Sequence, residues 1–298
     1  LLKKIKAYFN AHPEWERSYR ILLSATRSFS DNSISVMGAQ LAYYSIVAFF
    51  TLGVTIAYAS RLVPAVAEGA AFALNNLFPA PITALFSSTY EGVNLPNTLF
   101  PMISTAVMSI WFASRAIRSM MRSFDTIFLA AHRRKSFQRT YRSVLFTLVF
   151  EVLFASIFVF SVLGKTISQS ILKPLAISPN IVLIWTSIRL VFPAILMLFT
   201  FWLFYFYLTN VKIKFRHAFP GALFTTTLWM IITKFFSIYI QKISLFPLVL
   251  GSLGGIFAFL IWIYWSSIIV LVGAVLNFRF MQWRTGVSLE NMNVPFEN

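Results

Sequence analysis

Residues that could carry chemistry are few and scattered in this sequence. The three histidines, His12, His132 and His217, lie far apart and form no helical metal-ligand pair of the HExxH kind. The nine acids are mostly isolated, and only Glu14 and Glu16 stand close together. The absence of cysteine removes disulfides, thiolate zinc sites, iron–sulfur ligation and cysteine nucleophiles at once. No GxSxG elbow occurs. The glycine-rich run Gly251-Ser-Leu-Gly254-Gly255 lacks the Lys-Ser/Thr ending of a phosphate loop. Catalysis is not expected from these parts, and they call for no metal and no cofactor.

Binding chemistry is better represented. Arg115, Arg118 and Arg122 follow an i, i+3, i+7 spacing and share one face of a helix, where guanidinium groups suit a phosphate. Plain anchoring of a helix end beside anionic headgroups is the competing account. Glu151 and Arg189 are lone charges inside apolar runs. Each falls roughly 12 Å inside a bilayer core of about 30 Å, close enough in depth to pair or to share a polar cavity. Gln40, Tyr43, Tyr44 and Asn277 are polar groups suited to interhelical hydrogen bonds or to a cavity wall. Gly251, Gly254, Gly255 and Gly273 are read as packing residues that permit close helix contact.

The elements that must position these groups follow from composition. Of 298 residues, 58% are hydrophobic and only 11% charged, and the mean hydropathy is +0.74. A soluble chain carries about 25% charged residues, so this one lacks the means to cover itself against water. No charge interrupts residues 32–60, 92–114, 218–233 or 243–278. A helix needs about 20 apolar residues to cross a bilayer. Six spans are expected, at 36–60, 98–118, 143–164, 181–208, 217–239 and 252–278. The runs are too long and too evenly apolar for a membrane barrel. The fold class is all-α, a polytopic membrane protein.

Residues 69–90 are also charge-free, but Pro79 and Pro81 break them into short pieces, so 62–97 is expected to be an extracytoplasmic cap between the first two spans. Charge parity supports this. Six spans place 19 of the 25 Lys and Arg on the side shared by both termini and 5 on the other, with Arg189 between. The basic side is expected to be cytoplasmic. Residues 1–35 form a cytoplasmic or interfacial segment, with an amphipathic helix expected at 13–30 and no cleavable signal. Residues 36–280 form the transmembrane domain and 281–298 a cytoplasmic tail.

Four segments resemble the bacterial YihY/BrkB family, once labelled ribonuclease BN, over roughly residues 25–280. They are Gln40-Leu-Ala-Tyr-Tyr44; Trp111-Phe-Ala-Ser-Arg-Ala-Ile-Arg118 leading to Asp125; Pro220-Gly-Ala-Leu-Phe-Thr-Thr-Thr-Leu-Trp229 with Phe236-Ser-Ile-Tyr239; and Gly251-Ser-Leu-Gly254 followed by Trp262 and Gly273-Ala274. The chain departs from the family pattern at Ala48, Thr51, Leu250 and Val275, and Asp125 stands where Asn is frequent. The resemblance implies six helices in a bacterial inner membrane and a loosely defined link to envelope integrity, serum resistance or lipid export. It supplies no active site, and nothing in the residues supports cleavage of RNA.

The leading expectation is a carrier or flippase-like transporter of an amphiphilic, anionic lipid or envelope precursor. Arg115, Arg118, Arg122, Glu151, Arg189, Gln40, Tyr43 and Tyr44 are its candidate binding residues. Anionic membrane lipids are the expected partners, and no nucleic acid is. A non-transporting structural or assembly protein of the envelope is the alternative, and a lipid-sized cavity would separate the two.

Overall fold

The computed structural model describes residues 33–63, 99–128, 136–167, 179–211, 213–242 and 253–285, with isolated positions between 66 and 83. The amphipathic segment expected at 13–30, most of the 62–97 cap, the basic run 133–135 and the tail beyond 285 lie outside the described residues. Within them there are six long helices and no strand: α1 (Ser33–Leu62), α2 (Leu99–Ile127), α3 (Ser136–Ile167), α4 (Pro179–Tyr207), α5 (Phe215–Lys242) and α6 (Leu253–Thr285). Each corresponds to one expected span and is longer than it. A helix of 28 to 33 residues is about 42–50 Å long at 1.5 Å per residue, against a hydrocarbon core of about 30 Å. The surplus is clearest in α2, which continues past Arg118 through Arg122 and Asp125.

Local chemistry explains why these segments stay helical in an apolar setting. Pro179 opens α4 and Pro101 lies in the first turn of α2, where a missing N–H removes no helical bond. Hydroxyls that would otherwise be stranded bond back to their own helix. Thr51 donates to the Val47 carbonyl at 2.9 Å and Thr105 to the Pro101 carbonyl at 2.9 Å. Four helices, α1, α2, α5 and α6, are long and apolar enough to cross a membrane, and α4 adds the apolar stretch Val191–Tyr207. Large apolar side chains stand exposed along the outside, among them Phe100, Val107 and Trp111 of α2, Val152 of α3, Ile195 of α4 and Phe235 of α5. Such a belt is intolerable in water and ordinary in lipid.

The helices alternate in direction. Phe128 at the end of α2 meets Phe278 near the end of α6, Phe124 meets Tyr205 near the end of α4, and the start of α5 bonds to Asn277 of α6. One end of the bundle therefore gathers the starts of α1, α3 and α5 and the ends of α2, α4 and α6. It carries Arg115, Arg118, Arg122, Arg139, Lys214, Arg216, Arg279 and Arg284 and is called the basic end below. More than half of the apolar window of α6 is buried, against less than a third for α1, α2 and α5. α6 is the most enclosed of the four and packs chiefly against α5 and α1.

Candidate functional site

Two apolar clusters hold the bundle. The larger lies at the basic end and includes Met121, Phe124, Tyr205, Leu208, Leu271 and Ala274. The smaller joins α1, α5 and α6 through Ala42, Phe236, Phe259 and Trp262. A cavity of about 270 Å³ lies in the bundle, lined by residues from all six helices. One buried water needs about 10–15 Å³ on this measure, so the space is roughly twentyfold larger than a packing defect that holds a single water. Ala48 and Phe49 of α1, Ala113 and Met120 of α2, Phe150 of α3, Pro193 and Met197 of α4, Trp229 of α5 and Trp262 of α6 form its wall.

The wall is chemically a hydrocarbon surface. Its described residues include no Asp, Glu, Lys, Arg or His. Several of its hydroxyls are already engaged. Thr147 donates to the Ser143 carbonyl and Thr200 to the Leu196 carbonyl, both at 2.8 Å. Ser266 accepts from the Trp229 indole N–H at 3.1 Å. A charged headgroup would lose its hydration here and find no opposite charge, whereas an acyl chain would lose nothing.

Toward the basic end the same helices close. Thr225 and Tyr205 share a hydrogen bond at 2.6 Å, and the Tyr205 hydroxyl donates to the Val270 carbonyl at 2.7 Å. Because Tyr205 spends its one proton on Val270, Thr225 is the donor between them. Across this junction Gly273 comes so close that a Cβ would run into the Thr225 and Tyr205 hydroxyls. One turn further, Pro220 interrupts the backbone ladder of α5, and the next N–H, that of Gly221, is taken by the Asn277 side-chain oxygen at 2.7 Å. The Asn277 amide donates in turn to the Ala218 carbonyl at 3.1 Å. A Cβ on Gly221 would strike Asn277 and the Gly273 carbonyl. Three side chains, Tyr205, Thr225 and Asn277, and the close approaches at two glycines thus join α4, α5 and α6.

The charged candidates lie elsewhere. At 100° per residue, the cavity-lining Ala113, Ala116, Ile117 and Met120 occupy the face of α2 opposite Arg115, Arg118 and Arg122. The three arginines share one face and do not line the cavity. Arg115 sits over the Trp111 ring at 5.2 Å, and Arg122 is exposed. Asp125 is buried and paired with Arg139 of α3 at 3.4 Å, a junction that the isolated acid and the distant arginine did not announce. Glu151 is half-buried on α3 and is not part of the wall. The side chain of Arg189, on α4, lies outside the described residues, as does Gly251. Gln40 and Tyr43 are exposed, while Tyr44 is half-buried with its ring edge-on to Tyr43 at 5.3 Å between centres. Gly254 is buried and Gly255 half-buried at the start of α6. His217 is buried against Phe280, and no group of three His, Asp or Glu that could hold a metal occurs among the described residues.

Six long helices, four of them apolar enough to cross a membrane, an outward hydrophobic belt and charges gathered at one end define a polytopic α-helical membrane protein. Comparison with known proteins makes the assignment narrower. The chain belongs to the virulence factor BrkB family, whose model matches residues 25–294. It is 27% identical over 273 residues to a UPF0761 membrane protein of Coxiella burnetii (strain Dugway 5J108-111), covering 88% of this chain and 94% of that one. It is 25% identical over 243 residues to a ribonuclease-like protein, YfkH, of Bacillus subtilis (strain 168), covering 80% and 87%. A UPF0761 membrane protein of Yersinia pestis (strain Pestoides F) is 34% identical over 94 residues, about a third of either chain. No solved structure matches.

Proposed function

We propose that this protein is a carrier of an amphiphilic membrane lipid or envelope precursor, with the lipid chain lodged in the cavity and the basic end facing the cytoplasm. The cavity carries the reading. It touches all six helices, it is uncharged, and its engaged hydroxyls leave a surface that favours hydrocarbon. The excess of arginine and lysine at one end supports both the orientation and a preference for anionic headgroups. The test is transbilayer movement of fluorescent phosphatidylglycerol in liposomes containing the purified protein. Ala48→Phe and Ala113→Phe fill the wall, and their strain of about 1–3 kcal/mol is followed separately by thermal unfolding. Movement should fall to the protein-free rate in both while the fold survives; undiminished movement in both would sink the reading.

A second reading, a structural or assembly protein of the envelope, draws support from the tight junction of α4, α5 and α6. It predicts no lipid movement by the unaltered protein. Orientation has its own check, because the chain has no native cysteine. A Cys replacing Lys135 should be labelled by an impermeant reagent only after the membrane is opened; labelling of intact cells would reverse the topology.

A further inference from the structure

The outer face of α2 holds donors that nothing in the described protein uses. Nε and Nη2 of Arg118 and Nε of Arg115 are buried without a hydrogen-bond partner among the described residues. Native proteins leave few such groups, and a buried charged donor without an acceptor is among the costliest, so each calls for an acceptor. Repulsion compounds the problem, since Arg122 adds a third positive charge on the same face. Asp125, the one acid on this helix, already has Arg139 beside it at 3.4 Å.

The surroundings identify the chemistry of the missing acceptor. Continuing along the outward side of α2, the arginines give way to exposed Trp111, Val107, Ile103 and Phe100. That stripe is a track for an acyl chain, ending at a tryptophan ring and then at two guanidinium groups. Polar anion first, apolar chain below, is the layout of a phospholipid in one leaflet. Trp111 also holds the Arg115 guanidinium at 5.2 Å from its ring centre, which restrains it before any ligand arrives. The face points away from the cavity, so a molecule seated here cannot share its chain with the cavity wall without wrapping around α2.

We propose that the outer face of α2 is a second lipid site, separate from the cavity, in which Arg115 and Arg118 bind the phosphodiester of an anionic phospholipid. The site does not depend on transport and stands if the carrier reading fails. Two guanidinium groups one turn apart offer paired donors to the phosphate oxygens, which an ammonium cannot reproduce.

Native mass spectrometry of the delipidated full chain, titrated with phosphatidylglycerol, phosphatidylcholine and soluble glycerophosphoglycerol, tests this. The unaltered protein should retain one phosphatidylglycerol more tightly than the rest and prefer it to phosphatidylcholine. Arg115→Gln/Arg118→Gln should weaken that molecule by about tenfold to a hundredfold. Arg118→Lys keeps charge and length, so it should fold normally and still bind more weakly. Ala48→Phe, which fills the cavity, should leave this site unchanged. Equal retention by the double glutamine variant would overturn the proposal. Full competition by glycerophosphoglycerol at matched concentration would overturn the lipid as the source of the phosphate.

Discussion

At the basic end, α4, α5 and α6 approach so closely that glycine is required at two positions; from Val270, within a turn of Gly273 along α6, the same helices begin to stand back from a cavity. The two regions use the same residue types differently. In the junction, the hydroxyls of Tyr205 and Thr225 and the amide of Asn277 reach across to other helices. Around the cavity, Thr147 and Thr200 fold their hydroxyls onto their own helices. A hydroxyl that bonds between helices fixes their spacing, while one that bonds within a helix merely disappears from the wall. In lipid this contrast matters more than apolar area, because tails solvate a leucine as well as a neighbouring helix does. Close backbone contact and interhelical hydrogen bonds must then hold the bundle; the glycine contacts lie at the junction, while on the cavity wall the bond from Trp229 to Ser266 ties α5 to α6 without closing the space.

That contrast can be broken most forcefully at Gly273. Gly273→Ala should cost about 1–3 kcal/mol through overpacking against Thr225 and Tyr205, and Gly273→Leu should prevent folding. Thermal or detergent unfolding of purified protein measures both, and an alanine variant as stable as the original would show that the junction is looser than described. A smaller loss is expected for Tyr205→Phe and Asn277→Ala. Each removes hydrogen bonds between helices, at about 0.6–1.7 kcal/mol per interaction in a membrane protein. Double variants of Tyr205 with Thr225 should be less than additive, because the two hydroxyls form one chain. Smallest of all should be Thr147→Val and Thr200→Val on the cavity wall, within about 0.5 kcal/mol of the original. If either cavity variant destabilises as much as Tyr205→Phe, the division between a rigid junction and a permissive cavity fails.

Much of the architecture was legible because the bilayer imposes a length and a polarity on any helix that crosses it. The charge-free runs predicted six helices, and the helix ends differ most where Arg122 and Asp125 of α2, Arg139 and Arg142 of α3 and Arg279 of α6 extend them beyond the apolar core, since the helical ladder does not stop where the lipid does. Faces were harder. Where a helix is apolar on every side, periodicity says nothing about which side packs. Tyr205 sits within such a run in α4, and nothing nearby distinguished it from the other tyrosines. Gly273 and Asn277 were recognisable as packing and polar residues, but Gly221 and Thr225, their counterparts, drew attention only as members of a longer motif. On α2 the charges did mark a face, and the arginines do share it.

The sequence by itself determined the membrane setting, the number of helices and the grouping of the arginines, because these depend on hydropathy, length and local spacing. Tertiary structure alone decided that those arginines turn away from the cavity, that Tyr205 and Asn277 bind three helices together, and that Asp125 belongs with Arg139. Each of those outcomes depends on how helices far apart in the chain rotate about their axes. Rotation is set by the steric fit of small residues such as Gly221 and Gly273 and by hydrogen bonds that exist only once the helices meet.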